Sequence, residues 1–151
     1  VKVTPARFNL FMFFKLPSAW WSGVRLHEIT TEKCVVSVRH RWINQNPFKS
    51  MFWAVQGMAA ELTTGVLIME AIHNSKRKVS MLVLNNRANF SKKARGKVLF
   101  ECDEKQKLIK SMNTLIKTQE PQTIWLTSKG IDQNGDIVST FEFEWTLLLK
   151  N

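Results

Sequence analysis

Apolar positions recur at intervals of three and four along the middle of the chain: Phe52, Val55, Ala59, Leu62, Val66 and Met69. That is a helical stripe. The opposite side of the same stretch carries Ala54, Gly57, Glu61, Thr64 and Ile68, small or apolar apart from one acid. Between Ser50 and Met69, Glu61 is the only charged residue. The pattern predicts a helix from about Met51 to Ile72, apolar on nearly every side, and such a helix is either enclosed by protein or spans a membrane. Gln56, Glu61, Thr63 and Thr64 near its middle argue against spanning, because an ionised carboxylate at bilayer depth costs about 3 kcal/mol or more.

Around this helix the pattern changes to a period of two, the mark of half-buried strands. Val24, Leu26 and Glu28 alternate with Arg25, His27 and Ile29; Cys34, Val36, Val38, His40 and Trp42 alternate with Val35, Ser37, Arg39 and Arg41. The short "TTEK" between these runs suits a hairpin. A long alternating run covers 79–90, and "SKKARG" turns it into another at 97–103. A helix follows at 104–117, with Leu108, Met112 and Leu115 on one face and acids expected in its first turn. "TIWLTSKGI" then pairs with "DIVSTFEFEWTLLLK" across Asn134-Gly135, the strongest short hairpin signal in the chain. Ahead of all this, residues 6–21 read as an aromatic helical segment ended near Pro17, its Phe8, Phe11 and Met12 face turned inward. A membrane-surface anchor is the less favoured alternative for that segment, since only Arg7 and Lys15 supply local charge.

Tight turns join most of the strands, so the sheet is antiparallel. Six antiparallel strands that must bury one helix on all sides will curl around it. The expected fold class is therefore α+β, a hotdog fold in one domain spanning 1–151.

Composition narrows the picture. The chain has 151 residues, 44% hydrophobic and 23% charged, within the globular range. Ten Phe and six Trp with no Tyr point to a bulky, dry core or groove. Formal charge is +10, which attracts polyanions such as nucleic acid, anionic lipid or phosphorylated cofactors; a plain soluble basic domain is the lesser alternative. Cys34 and Cys102 fall within apparent strands and read as buried free thiols in a reducing cytoplasm, and no secretory leader is visible.

Several chemistries lack their residues. His27, His40 and His73 are isolated, no Cys or His pair has metal-ligand spacing, and neither a Gly-x-Ser-x-Gly elbow nor a phosphate-binding Gly-rich loop is present. Helix-turn-helix, zinc-finger and RNA-recognition signatures are absent as well. What remains is a carboxylate. If Glu61 is buried, desolvation raises its pKa toward the range of a general base; otherwise it is an ordinary surface acid at a helix edge. Gly57 and Thr64 would leave room beside it. Asn46, in an Asn-Pro turn, either serves the site or caps the following helix. Gln56 either holds a water or an acyl carbonyl, or packs in the core. Asn85, Asn86 and Arg87 interrupt an apolar strand, which marks either a lined cavity or an exposed edge. Eleven of the 22 basic residues lie between Lys76 and Lys110. Segment 76–97, with Lys92, Lys93 and Arg95, is expected to form a basic groove mouth for phosphates, the alternative being a solvated loop.

The stretch "NQNPFKSMFWAVQGMAAEL" followed by this strand order resembles the hotdog-fold acyl-CoA thioesterase superfamily, and within it a bacterial subgroup of domain-of-unknown-function proteins linked to thioester hydrolysis. The resemblance implies a site in which Asn46 and Glu61 occupy the places of the family's loop Asn and helix acid. The carboxylate would orient or activate water, and a backbone amide at the helix start would polarise the thioester carbonyl. Phe52, Trp53 and Ala54 stand where the better-known relatives carry His-Gly-Gly, so the amides would come from bulky residues. The resemblance further implies a homodimer or dimer of dimers with acyl-CoA or an acyl carrier at the subunit interface, CoA entering only as part of the substrate. Glu61 would then lie close to Asn46 and the first turn of its helix. A non-catalytic acyl-CoA binding module, with Phe52 and Trp53 filling the oxyanion space, is the alternative. A basic nucleic-acid or anionic-membrane binder is a third; a nucleic-acid partner and a membrane span are not expected.

Overall fold

The structure, a computed structural model, describes residues 2–150. In chain order the elements are α1 (Pro5–Lys15), α2 (Pro17–Trp21), β1 (Arg25–Ile29), β2 (Cys34–Arg39), a 3-10 turn at Trp42–Asn44, α3 (Trp53–Ser75), β3 (Val79–Phe90), β4 (Lys97–Cys102), α4 (Lys105–Thr118), β5 (Gln122–Ile131) and β6 (Ile137–Leu149). The strands form one six-stranded sheet in the order β1-β2-β4-β5-β6-β3, every neighbouring pair antiparallel. The sheet wraps α3, which packs against β2, β4, β5 and β6 and buries most of its length from Val55 to Ile68. This is the hotdog arrangement.

The polar residues of α3 are what key it to the sheet. Thr63 Oγ1 meets Ser128 Oγ of β5 at 2.9 Å, Trp145 Nε1 of β6 donates to Thr64 Oγ1 at 3.0 Å, and Ser139 Oγ of β6 donates to Gln56 Oε1 at 2.8 Å. Buried hydroxyls and amides must find such partners, and here each partner fixes the rotation of the helix against β5 or β6. Among the described residues, no helix is long and apolar enough to cross a membrane.

The elements differ from their sequence outlines in four places. The aromatic N-terminal segment is two helices, not one. Thr4 and Pro5 start α1, and Pro17 both stops it and opens α2, since a proline tolerates the first helical position and forbids the preceding residue from continuing a helix. Its face is split too, with Phe8 and Met12 buried while Phe11, Phe13 and Phe14 are exposed. Strand β2 ends at Arg39, three residues early, and Trp42 is 83% exposed. Asn44 is the cause: its Nδ2 donates to Arg39 O and Ser22 O, each at 2.9 Å, and its Oδ1 accepts from Arg41 N at 2.8 Å. An asparagine that captures backbone groups in this way ends a ladder. Helix α3 starts at Trp53 and runs past Ile72 to Ser75, where Lys76 takes a left-handed φ of 54°. The first turn of α4 holds no acid, because Glu104 sits at the N-cap and accepts instead from Thr127 N, pinning α4 onto β5.

Two further features shape the core. Lys105 at the start of α4 is buried and places its Nζ on the Glu70 carboxylate of α3 and on Thr30 O at 2.9 Å. Cys34 and Cys102 are register partners on β2 and β4, both buried and both free thiols. At the two ends of the sheet lie β1 and β3. Strand β3 is twelve residues long, pairs with β6 alone among the described strands, and is exposed over most of its length.

Candidate active site

Helix α3 carries the candidate chemistry at two levels. At its start, Phe52 is the N-cap with φ −61° and ψ 136°, and no side chain caps the helix. The first helical N–H groups have no acceptor within a helix. Val55 N and Gln56 N turn back to Phe52 O at 3.0 and 3.3 Å, and neither Trp53 N nor Ala54 N has an acceptor among the described residues. Two amide donors and the positive end of the helix dipole therefore point out of the helix start.

The loop before the helix holds that start in place. Asn46 Oδ1 accepts from Phe48 N at 2.9 Å and Ser50 N at 3.2 Å, and its Nδ2 donates to Ser50 Oγ at 2.9 Å. Met51 N donates to Ala94 O at 2.8 Å, Phe52 N to Asn44 O at 2.9 Å, and Gln56 Nε2 to Met51 O at 3.3 Å. Asn46 is thus the clamp of the 46–51 loop, not a cap of α3, and Gln56 is buried between loop, helix and β6. Together with Phe48, Phe52, Trp53, Phe90, Lys92 and Lys93 they line a groove of about 490 Å³. The rings of Phe52 and Trp53 stand half-exposed at its edge with centroids 6.1 Å apart.

Glu61 lies two turns further along, in a second and smaller groove of about 280 Å³. Its walls are the α1–α2 junction from Lys15 to Ala19, together with Met58 and Leu62. The carboxylate is half-buried and makes no hydrogen bond or ion pair with a described residue, and desolvation raises its pKa above the usual carboxylate range. Room beside it comes from Gly65, where an added Cβ would stand 3.5 Å from Glu61 Oε1. Gly57 and Thr64, expected to provide that room, do not: Gly57 faces the Phe141 ring and Thr64 is committed to Trp145. From Trp53 to Glu61 the helix rises about 12 Å. Within one chain Glu61 is therefore not brought to Asn46 or to the helix-start amides, and the two open into different grooves.

The basic segment 76–97 is also not one groove mouth. Lys76, Arg77 and Lys78 follow the C-terminal end of α3, and the twelve residues of β3, about 40 Å of extended chain, separate them from the 92–97 loop beside the helix start. There Lys92 is engaged by Asp132 at 2.8 Å and Asp136 at 2.7 Å. Lys93 Nζ lies 5.8 Å from the Phe48 ring centroid, and Arg95 Nε donates to Lys49 O at 3.3 Å. Asn85, Asn86 and Arg87 belong to the exposed edge strand and not to the groove: Asn85 donates to Glu144, and Arg87 pairs with Glu142 at 2.6 Å over the Trp125 ring. No group of three or more His, Cys, Asp or Glu among the described residues could hold a metal.

The α1–α2 wall of the Glu61 groove and Gly65 escaped the sequence reading. Gly65 sits four residues after Glu61, on the same helix face, and was legible in principle; the N-terminal wall was not, because nothing in its pattern names the helix that it covers.

Solved structures share the fold. A Pseudomonas aeruginosa protein of unknown function, named with the addition "probable thioesterase", superimposes with a TM-score of 0.81 at 17% identity, over 97% of each chain. A Chlorobaculum tepidum protein of unknown function does so with a TM-score of 0.81 at 13% identity, over 98% of each chain. A thioesterase from Haemophilus influenzae matches with a TM-score of 0.73 at 10% identity, over 99% of this chain and 93% of its own. No curated protein sequence matches the chain. Residues 4–147 match the family described as domain of unknown function DUF4442, and the chain belongs to that family.

Proposed function

We propose that this protein hydrolyses an acyl thioester, acyl-CoA or an acyl carrier, with Glu61 as the base that activates water and the Trp53 and Ala54 amides as donors to the carbonyl oxygen. The observation that carries this reading is Glu61 itself: a desolvated carboxylate with no partner among the described residues, facing an apolar groove. Such a group favours the proton-accepting role near neutral pH. The uncapped helix start supplies the second requirement, N–H dipoles aimed where negative charge develops. Lys93 in the first groove, and Arg95 two residues on beside the Lys49 carbonyl, offer positive charge to the CoA phosphates, while Lys92 is already neutralised by two aspartates.

Because base and amides lie about 12 Å apart along one helix, a shared thioester needs the base of one protomer and the helix start of another. The proposed assembly is therefore a homodimer, and the long free edge of β3 is the surface that offers strand pairing.

A second reading has its own support. Phe52 and Trp53 present bulky rings at the helix start, and a module that binds acyl-CoA without turning it over would use them to close the oxyanion space. Free-thiol release from a panel of acyl-CoA substrates separates the two. Under the hydrolase reading, Glu61→Gln lowers turnover about a hundredfold or more with unchanged circular dichroism. Equal turnover in both proteins rejects the role of Glu61, and acyl-CoA binding without any thiol release selects the binding module.

A further inference from the structure

Large apolar side chains stand in water at one end of the molecule, around the α2–β1 connection. Trp42 is 83%, Phe14 70% and Trp21 65% exposed, and Ile43 is exposed beside Trp42. These side chains come from three segments tied together by short contacts. Phe13 packs edge-on against Phe14 and Trp20, with centroids at 4.9 and 5.5 Å. The Arg25 guanidinium lies 3.4 Å from the Trp20 ring centroid and donates to Trp20 O at 2.7 Å. Asn44 fastens the Trp42–Asn44 turn to the end of α2 through Ser22 O. Arg25 is held below its ordinary pKa by burial and then by the nearby charge of Arg41, so two arginines sit close together among these aromatics.

Charge at this end is mainly positive. Arg25 and Arg41 stand beside the aromatics and Lys15 at the α1–α2 junction, while Glu61 is the acid that the same junction faces. Glu28 and Glu32 lie toward the β1–β2 turn, and three residues of strand, about 10 Å, separate Glu28 from Arg25.

We propose that this aromatic and basic end docks the protein on a bilayer surface bearing anionic phospholipid. Tryptophan beside arginine suits the headgroup boundary, where the ring is half in hydrocarbon and the cation meets phosphate. A second copy of the chain fits worse. A two-fold contact centred on this patch would set the Arg25 and Arg41 of one protomer near the same cations of the other. The inference is independent of the thioesterase reading, because it concerns binding and not turnover.

The test is co-sedimentation of the full chain with phosphatidylglycerol–phosphatidylcholine vesicles, with pure phosphatidylcholine vesicles alongside. Binding is expected to the mixed vesicles only and to weaken as salt is raised. Trp21→Ala with Trp42→Ala should reduce the bound fraction about tenfold or more while the melting temperature stays that of the parent. Arg41→Gln, which leaves the rings in place, should weaken binding to the mixed vesicles as well. Absence of binding to anionic vesicles, or equal binding by parent and double variant, overturns the proposal. So does a parent dimer that becomes monomeric in the double variant, which would make the patch a subunit contact. Preferential capture of a single-stranded oligonucleotide, lost in the same variant, would assign the patch to nucleic acid and overturn it too.

Discussion

Glu61 is held between two demands: the apolar groove penalises its charge, and the proposed chemistry needs that charge. Burial raises its pKa in the folded chain, while in the unfolded chain the group titrates as an ordinary glutamate. Between those two values the native state holds the extra proton, so native stability is greatest below the unfolded pKa. It is lost as pH rises through the folded one. We therefore expect Glu61→Gln to be more stable than the parent at neutral pH. The difference should shrink to nothing in acid, as read from denaturant midpoints across the pH range. A stability gap independent of pH would mean that the carboxylate is not desolvated. The lone charge on an apolar helix was visible in the sequence, because one residue broke a pattern of twenty. Its neighbours were less legible. Gly57, Thr64 and Gly65 all lie near it by helical spacing, but only packing against Phe141 and Trp145 decides which of them leaves space.

At the scale of elements, periodicity placed each strand and both long helices, and failed where a single side chain took over the backbone. Asn44 ended β2 in this way, and nothing in the alternation of residues 34–42 announces it. Proximity in sequence also misled: Lys76 and Lys93 share one basic run, yet a strand carries them to different ends of α3. The junction of α3 and α4 depends on another pair invisible to periodicity. Lys105 and Glu70 are about nine-tenths buried by side chain and neutralise one another. Removing one member of a buried pair strands the other charge, at about 3–5 kcal/mol. Lys105→Met should therefore cost about that much in urea unfolding, and adding Glu70→Leu should recover most of it. A double variant no more stable than Lys105→Met would show that the pair does more than cancel its own charges.

For the whole molecule, the antiparallel wrap followed from tight turns and from a helix with no polar face to leave outside, so the hotdog arrangement was legible before any coordinates. The position of β3 was not. Turn chemistry joins β3 to β4 in sequence, yet the sheet separates them and sets β3 against β6. That position leaves β3 as a twelve-residue free edge, and the dimer proposed above should appear in sedimentation velocity at tens of micromolar; a monomer at that concentration removes the assembly. The same placement has a consequence for biosynthesis. When residues 79–90 leave the ribosome, their strand partner, residues 137–149, has not yet been made. Until it arrives α3 lacks one wall, and Leu82 and Leu84 stand on an unpaired strand. The nascent chain thus passes through an interval in which its most adhesive edge is complete and its cover is not, and that interval is when a holding chaperone would matter most.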